Sequence, residues 1–238
     1  MIKVRGLAKA FNGQKVLDGI DLDVASGEIV AVMGPSGTGK TVLLLMLIGL
    51  MAPDAGSVDI DGVAVARLKE SQLLKFRRNV GYLFQDGALY DFMTVAENLA
   101  FPLREHGKLA AAQIKDRVAE LLKLVDMAGA GAKYPSELSG GMRKRVALAR
   151  AMAPGSRVLL CDEPTSGLDP VRSRDISLLI RGLSKQMGCT TVITTHDVRN
   201  AFRAADRAVV LYQGRVAGQG PEDVLKASTH PFIKEFLE

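Results

Sequence analysis

The sequence predicts an α/β fold in which a parallel sheet is flanked by helices, with an antiparallel β subdomain and an inserted helical subdomain. Three observations carry that expectation. In the last third of the chain, apolar runs such as Val158-Leu159-Leu160-Cys161 and Thr190-Thr191-Val192-Ile193-Thr194 alternate with helix-like segments. Continuous apolar strands of this kind belong to parallel sheets covered on both faces. Residues 2–33 instead show short alternating segments broken by Asn12-Gly13 and Ser26-Gly27, the pattern of antiparallel strands joined by turns. Between these regions, residues 95–106 and 110–125 place apolar side chains at helical spacing with few β-branched runs.

In chain order, the run Glu28-Ile29-Val30-Ala31-Val32-Met33 reads as a strand that ends in a glycine-rich loop, and a helix-like run follows at 42–48. Residues 58–63 continue the antiparallel pattern. The helices at 95–106 and 110–125, with a third at 143–152, make up an insertion at about 86–154. After Pro154, strands are expected at 157–161, 190–194 and 208–212, separated by helices at 172–187 and 198–205. One domain, 1–220, is thus a core of about 1–85 and 155–220 interrupted by helices. A helical tail, 221–238, follows, and its apolar spacing fits docking on its own core or on a second chain equally well. A second phosphate loop and internal repeats are both missing from the sequence, so one nucleotide site per chain is expected.

Composition narrows the function classes. At 238 residues the chain is long enough for a full α/β core, and 47% hydrophobic with 24% charged residues exclude a disordered protein. The longest apolar stretch, 42–52, falls well short of the roughly 20 residues of a membrane-spanning helix. Lys3 and Arg5 lie where a signal peptide needs its apolar segment, so a cytoplasmic protein is expected. Cys161, inside an apolar run, reads as a core residue rather than a reactive thiol, and Cys189 carries no signal. The net charge of +5 is too small to point to nucleic acid or an anionic membrane surface, and no nucleic-acid partner is expected.

The chemistry lies in three motifs. Gly34-Pro35-Ser36-Gly37-Thr38-Gly39-Lys40-Thr41 fits the phosphate-binding pattern G-x-x-x-x-G-K-[ST] between a strand and a helix. Its glycines let backbone N–H groups aim at phosphate oxygens, and the helix behind adds the positive end of its dipole. Lys40 would reach the β- and γ-phosphates, and Thr41 would place its hydroxyl on Mg²⁺. The apolar run 158–161 ends in Asp162-Glu163, at the carboxyl edge where a parallel sheet presents ligands. Asp162 suits the Mg²⁺ shell, and Glu163 is placed to orient or deprotonate a water in line with the γ-phosphate. Ser139-Gly140-Gly141 opens a helix-like run and reads either as a second anion contact or as a helix cap with a flexible lead.

Together with Gln85, Ser166-Gly167-Leu168-Asp169 and His196, these motifs follow one another as they do in ATP-binding cassette ATPases, which the chain resembles from Phe11 to about Gly220. The resemblance implies the cassette form of the phosphate-loop NTPase core, with ATP and Mg²⁺ as ligands and ATP hydrolysis as the activity. It implies that Phe11 stacks on adenine. Gln85 looks like the lid glutamine that senses Mg²⁺ and the attacking water, and His196 like the switch histidine on the γ-phosphate. Asp169 looks like the residue that crosses a dimer interface, and Ser139, Gly140 and Gly141 would close over the ATP of a second copy of the chain. Met142 departs from the glutamine that many members carry there.

The segment 86–106, with Gly87-Ala88-Leu89 and Phe101-Pro102-Leu103-Arg104-Glu105-His106, and the Ser-Gly-Gly-Met signature are similar to the ATPase of Mla, or MCE-type, phospholipid transporters. That resemblance implies a multipass permease of the MlaE type, a periplasmic MCE-domain protein and a STAS-domain regulator. The ATPase would then work at the cytoplasmic face of the inner membrane in maintaining outer-membrane lipid asymmetry. Leu89, Tyr90, Phe92 and Met93 fit local packing or a partner interface equally. The alternatives are another cassette transporter, such as an amino-acid importer or a lipoprotein exporter, or a soluble regulatory cassette ATPase. A phosphate-loop GTPase or kinase is disfavoured, because the sequence holds no Asn-Lys-x-Asp motif to read guanine and Ser139-Gly140-Gly141 would be unexplained.

Overall fold

The computed structural model describes residues 1–105, 107 and 109–238, so His106, the end of the expected helix 95–106, lies outside the described residues. Among the described residues, ten strands form two sheets. Strands β1 (Ile2–Phe11), β2 (Gln14–Val24), β4 (Ala55–Ile60) and β5 (Val63–Ala64) make a four-stranded antiparallel sheet in the order β2-β1-β4-β5. Strands β3 (Ile29–Met33), β6 (Val80–Leu83), β7 (Val158–Asp162), β8 (Thr190–Thr195), β9 (Arg207–Tyr212) and β10 (Arg215–Gly220) make the second, in the order β10-β9-β3-β8-β7-β6. All its pairings are parallel except β9 with β10, an antiparallel edge hairpin that the sequence pattern did not indicate.

Period-two alternation sorts the larger sheet into two cores. Ile29, Ala31 and Met33 face one side with Leu159, Cys161 and Ile193, where helices α3 (Val95–Glu105), α4 (Ala111–Leu124), α5 (Gly140–Met152), α6 (Pro170–Met187) and α7 (Val198–Ala204) cover them. Val30 and Val32 face the other side with Val158, Leu160 and Val209, against helix α1 (Lys40–Leu47) and the inner face of the antiparallel sheet. Both faces are thereby removed from water, which is why these strands tolerate no alternation of polar residues. The Cys161 thiol is fully buried, and burial pushes its pKa up, followed by the Asp162 charge, so it behaves as a core side chain.

Three features differ from the sequence pattern or settle a point it left open. Helix α2 (Glu70–Arg77) was not anticipated. It buries no residue of its own and is held by Arg77, whose guanidinium donates to the carbonyls of Ile48 and Gly49 at 3.3 and 2.7 Å. Helix α5 begins at Gly140 instead of 143, so both glycines lie in its first turn. The terminal helices α8 (Glu222–Lys226) and α9 (Pro231–Leu237) fold back on their own chain. Ile233 is fully buried, and Phe232 stacks on Tyr212 with ring centroids 3.9 Å apart. Among the described residues, no helix is long and apolar enough to cross a membrane.

Candidate nucleotide site

The carboxyl ends of β3, β7 and β8 converge on one cleft. Its volume is about 260 Å³, and its lining includes Ser36, Gly37, Gly39, Lys40, Thr41, Gln85 and Glu163. The loop 34–41 is fixed by contacts that exclude side chains at two glycines. A Cβ on Gly34 would stand 2.5 Å from the carbonyl oxygen of Leu211. Gly39, with φ of 90° at the cap of α1, would drive a Cβ to 2.7 Å from Leu17 Cδ2.

The side chains of this cleft are bonded to one another. Lys40 Nζ donates to the carbonyls of Gly34 and Pro35 at 2.8 and 2.9 Å and lies 3.4 Å from Glu163 Oε1. The other Glu163 oxygen is 2.9 Å from His196 Nδ1. Thr41 Oγ1 donates to Asp162 Oδ1 at 3.0 Å, and Thr194 Oγ1 donates to the same oxygen at 2.6 Å. Tyr82 Oη lies 3.5 Å from Asp162 Oδ2, and burial, then the Asp162 charge, pushes its phenol pKa up. Glu163 itself sits at φ of 43°, in the left-handed region that a side chain disfavours and that functional sites often hold by surrounding bonds.

Gln85 opens a loop that is tied to α5. Lys144, a buried ammonium whose pKa is lowered by desolvation, donates to the Gln85 carbonyl. Arg150 donates to the carbonyls of Gly87 and Ala88 at 2.9 and 2.6 Å and covers the Tyr90 ring at 5.8 Å. Beyond it, buried Asn98 accepts from Tyr90 N–H at 2.8 Å and donates to the carbonyls of Tyr90, Met93 and Thr94. These bonds hold out two aromatic rings, Tyr90 at 39% exposed and Phe92 at 76%, while Leu89 and Met93 are half-buried.

Of the expected site residues, Gly34, Pro35, Thr38, Asp162 and His196 are not in the lining itself but belong to the loop or bond to lining residues, whereas Phe11, Ser139, Gly140, Gly141 and Asp169 lie away from the cleft. Phe11 is 42% exposed at the end of β1, with Lys9 Nζ 5.7 Å from its ring centroid. Ser139 Oγ accepts the Met142 N–H at 3.4 Å as the cap of α5, and the Met142 side chain packs against the core. Asp169 caps α6, accepting N–H bonds from Val171 and Arg172 at 3.1 and 3.0 Å. The Arg172 N–H, followed by the Arg172 charge, holds its carboxyl below the usual range. Sequence reading passed over Tyr82, Asn98, Lys144, Arg150 and Thr194. The only signal for the last was a pair of threonines closing a buried strand.

A family model described as "ABC transporter" matches residues 17–166. The probable ribonucleotide transport ATP-binding protein mkl of Mycobacterium leprae is 44% identical over 236 residues, which cover 99% of this chain and 68% of that protein. The methionine import ATP-binding protein MetN of Carboxydothermus hydrogenoformans is 42% identical over 241 residues, covering 100% of this chain and 71% of the relative. The sulfate/thiosulfate import ATP-binding protein CysA of Thermosynechococcus vestitus is 41% identical over 237 residues, covering 99% and 69%. The chain thus spans about two thirds of the length of these curated relatives. A solved dimeric ATP-binding cassette in a post-hydrolysis state bound to ADP and Pi aligns with a TM-score of 0.85 at 32% identity, covering 93% of this chain and 98% of its own. The family match, the relatives' identity and a fold shared over nearly the whole chain place it: this protein belongs to the ABC transporter family, as an ATP-binding cassette that hydrolyses ATP.

Proposed function

We propose that two copies of this chain sandwich two ATP molecules head to tail and drive a separate phospholipid permease of the Mla, or MCE, type. The observation that carries the sandwich is the freedom at the start of α5. A Cβ on Gly140 would make only an ordinary contact, 3.4 Å from Leu168, and one on Gly141 would stand 3.5 Å from Arg172. Their own fold does not require glycine, which fits close approach of a phosphate from outside the chain. The dimeric state of the solved cassette supports the same arrangement.

The oxygen donors around the cleft suit Mg²⁺, which prefers a few protein oxygens completed by water and phosphate. Thr41, Asp162 and Gln85 would hold the ion, whose chemistry is to neutralise charge on the β- and γ-phosphates. Lys40 would leave the carbonyls of Gly34 and Pro35 for the phosphates, with loop N–H groups around it. Glu163 would take a proton from the attacking water as its oxygen bonds to phosphorus and the bond to ADP breaks. His196, already bonded to Glu163, would meet the γ-phosphate, and Phe11 would stack on adenine.

The partner reading rests on the loop after Gln85. A groove of about 410 Å³, lined by Phe84, Tyr90, Phe101, Pro102 and Arg150 among others, lies beside exposed Phe92. An MlaE-type permease would seat a cytoplasmic helix there, placing the subunit peripherally at the inner membrane in a complex with an MCE-domain protein and a STAS-domain protein. Affinity purification from detergent-solubilised membranes is expected to recover that permease. Recovery of a methionine or sulfate permease would assign another importer, and recovery of soluble proteins alone would favour a regulatory ATPase.

A further inference from the structure

We propose that Thr194 is a positioning residue for ATP hydrolysis, its one hydroxyl holding Asp162 by the side chain and Glu163 by the backbone. The inference rests on the reading of Asp162 as a Mg²⁺-site carboxylate and Glu163 as the base. Thr194 is fully buried on β8, in register with Asp162 on β7. Its Oγ1 lies 2.6 Å from Asp162 Oδ1, 3.4 Å from the Cys161 carbonyl and 3.2 Å from the Glu163 backbone nitrogen.

A hydroxyl has one proton to give and two lone pairs to receive. The proton goes to the carboxylate, since a charged acceptor at 2.6 Å outcompetes a neutral carbonyl at 3.4 Å. The Glu163 N–H then donates to the same hydroxyl, and also to the Thr194 carbonyl at 3.1 Å. That N–H belongs to the residue at φ of 43°, so Thr194 supplies both acceptors for the N–H of the strained Glu163, whose carbonyl accepts from Ser166 N–H. Asp162 Oδ1 has a second donor in Thr41, but Thr41 is the side chain expected to turn toward Mg²⁺. Thr194 then remains the hydroxyl on Oδ1, with the Tyr82 hydroxyl at a long 3.5 Å from the other oxygen. The fold itself does not call for this hydroxyl: valine has the same shape, an equal preference for strands and no polar group to desolvate.

The test compares Thr194→Val, which removes the hydroxyl, with Thr194→Ser, which keeps it, in the full chain. Binding of a fluorescent ATP analogue is measured in EDTA and across a Mg²⁺ titration, and hydrolysis is measured alongside. Loss of a hydrogen bond to a charged group predicts an effect of about tenfold. In Thr194→Val, metal-free binding is expected to stay within about twofold of the parent, while half-saturating Mg²⁺ rises about tenfold. Its kcat is expected to fall by about tenfold or more, with little change in KM. Thr194→Ser is expected to behave like the parent. A parental Mg²⁺ requirement and kcat in Thr194→Val, or an equal loss in Thr194→Ser, overturns the proposal.

Asp162→Asn separates the two levels of the argument. If it leaves the Mg²⁺ requirement unchanged, the metal reading falls and this role falls with it. A raised requirement there with an unaffected Thr194→Val overturns the positioning role alone. If Thr194→Val does not fold, Thr194→Ala is set against Thr194→Ser with the same two readings.

Discussion

The two stretches expected to meet ATP, 34–41 and 139–141, both use glycine, yet for opposite physical reasons. In the phosphate loop, Gly34 and Gly39 are required by the chain's own packing, since a Cβ would strike Leu211 and Leu17. Lys40 and Thr41 beside them are already bonded to loop carbonyls, Glu163 and Asp162. At the start of α5, among the described residues, a Cβ meets nothing closer than 3.4 Å and Ser139 bonds within its own helix turn. Glycine in a helix costs about 1 kcal/mol relative to alanine. A stretch that bears this cost without an internal reason fits the proposed contact with the nucleotide of a second copy.

The sharpest way to break the comparison is at the wired half. Glu163→Gln is expected to lower steady-state ATP hydrolysis by roughly 10³-fold, in the range of a lost general base, while ATP still binds. In the presence of ATP the variant should accumulate as a dimer by light scattering. Normal turnover would remove Glu163 from the role of base. Gly34→Ala comes next. Its Cβ presses on backbone, so about 2 kcal/mol or more of stability is expected to be lost, together with about 100-fold in ATP affinity. An unperturbed melting temperature would mean that the loop yields easily and that its glycine is no more demanding than Gly140.

A smaller effect tests how far the rigidity of that half extends. Asp206 anchors the start of β3, the strand that launches the loop: its Oδ2 accepts the Ile29 N–H at 3.0 Å and Lys185 Nζ at 2.6 Å, and Oδ1 accepts from Arg181 at 3.1 Å. Burial opposes its ionisation, but the Lys185 and Ile29 bonds and the Lys185 and Arg181 charges outweigh it, and the carboxyl is held below its usual range. A carboxylate with a depressed folded-state pKa contributes stability that is complete above the unfolded value, near pH 4, and is lost as pH falls through the folded one. Asp206→Asn should therefore cost about 1 kcal/mol at neutral pH, and the two proteins should converge in denaturant melts taken in acid. A constant gap down to the lowest pH would assign the loss to packing.

The sequence made the same division visible, up to a point. Strands β3 and β7 are legible as continuous apolar runs, and the motif residues are legible because their spacing is local. Strand β10, with the sequence Arg-Val-Ala-Gly-Gln-Gly, has little intrinsic preference for a strand and exists because β9 offers an edge to pair with. Helix α2 packs only the partly buried Leu73 and Phe76 against the core, too short an apolar stripe to mark it. The supporting residues stayed hidden for a related reason: Thr194 meets Asp162 across 32 positions and Lys144 meets Gln85 across 59. A contact of that range leaves no periodicity behind. The same limit applies to cargo. Relatives at 41–44% identity carry the names of ribonucleotide, methionine and sulfate transport, which fits an ATPase that does not itself hold the cargo.

The most discriminating experiment has the smallest energetic signature. Gly140→Ala replaces a glycine in the first turn of α5 by the best helix former, in a place where the new methyl makes ordinary contact with Leu168. If only the chain's own fold mattered, the variant would be more stable by about 0.5–1 kcal/mol and otherwise unchanged. If the helix start must approach the nucleotide of a second copy, the stabilised protein should bind ATP normally as a single chain yet hydrolyse it about tenfold more slowly, because a methyl group displaces an N–H donor from its phosphate. The melting temperature and the rate would then move in opposite directions. A packing defect lowers both and a neutral substitution leaves the rate alone, so only an external ligand for α5 predicts a more stable, slower enzyme.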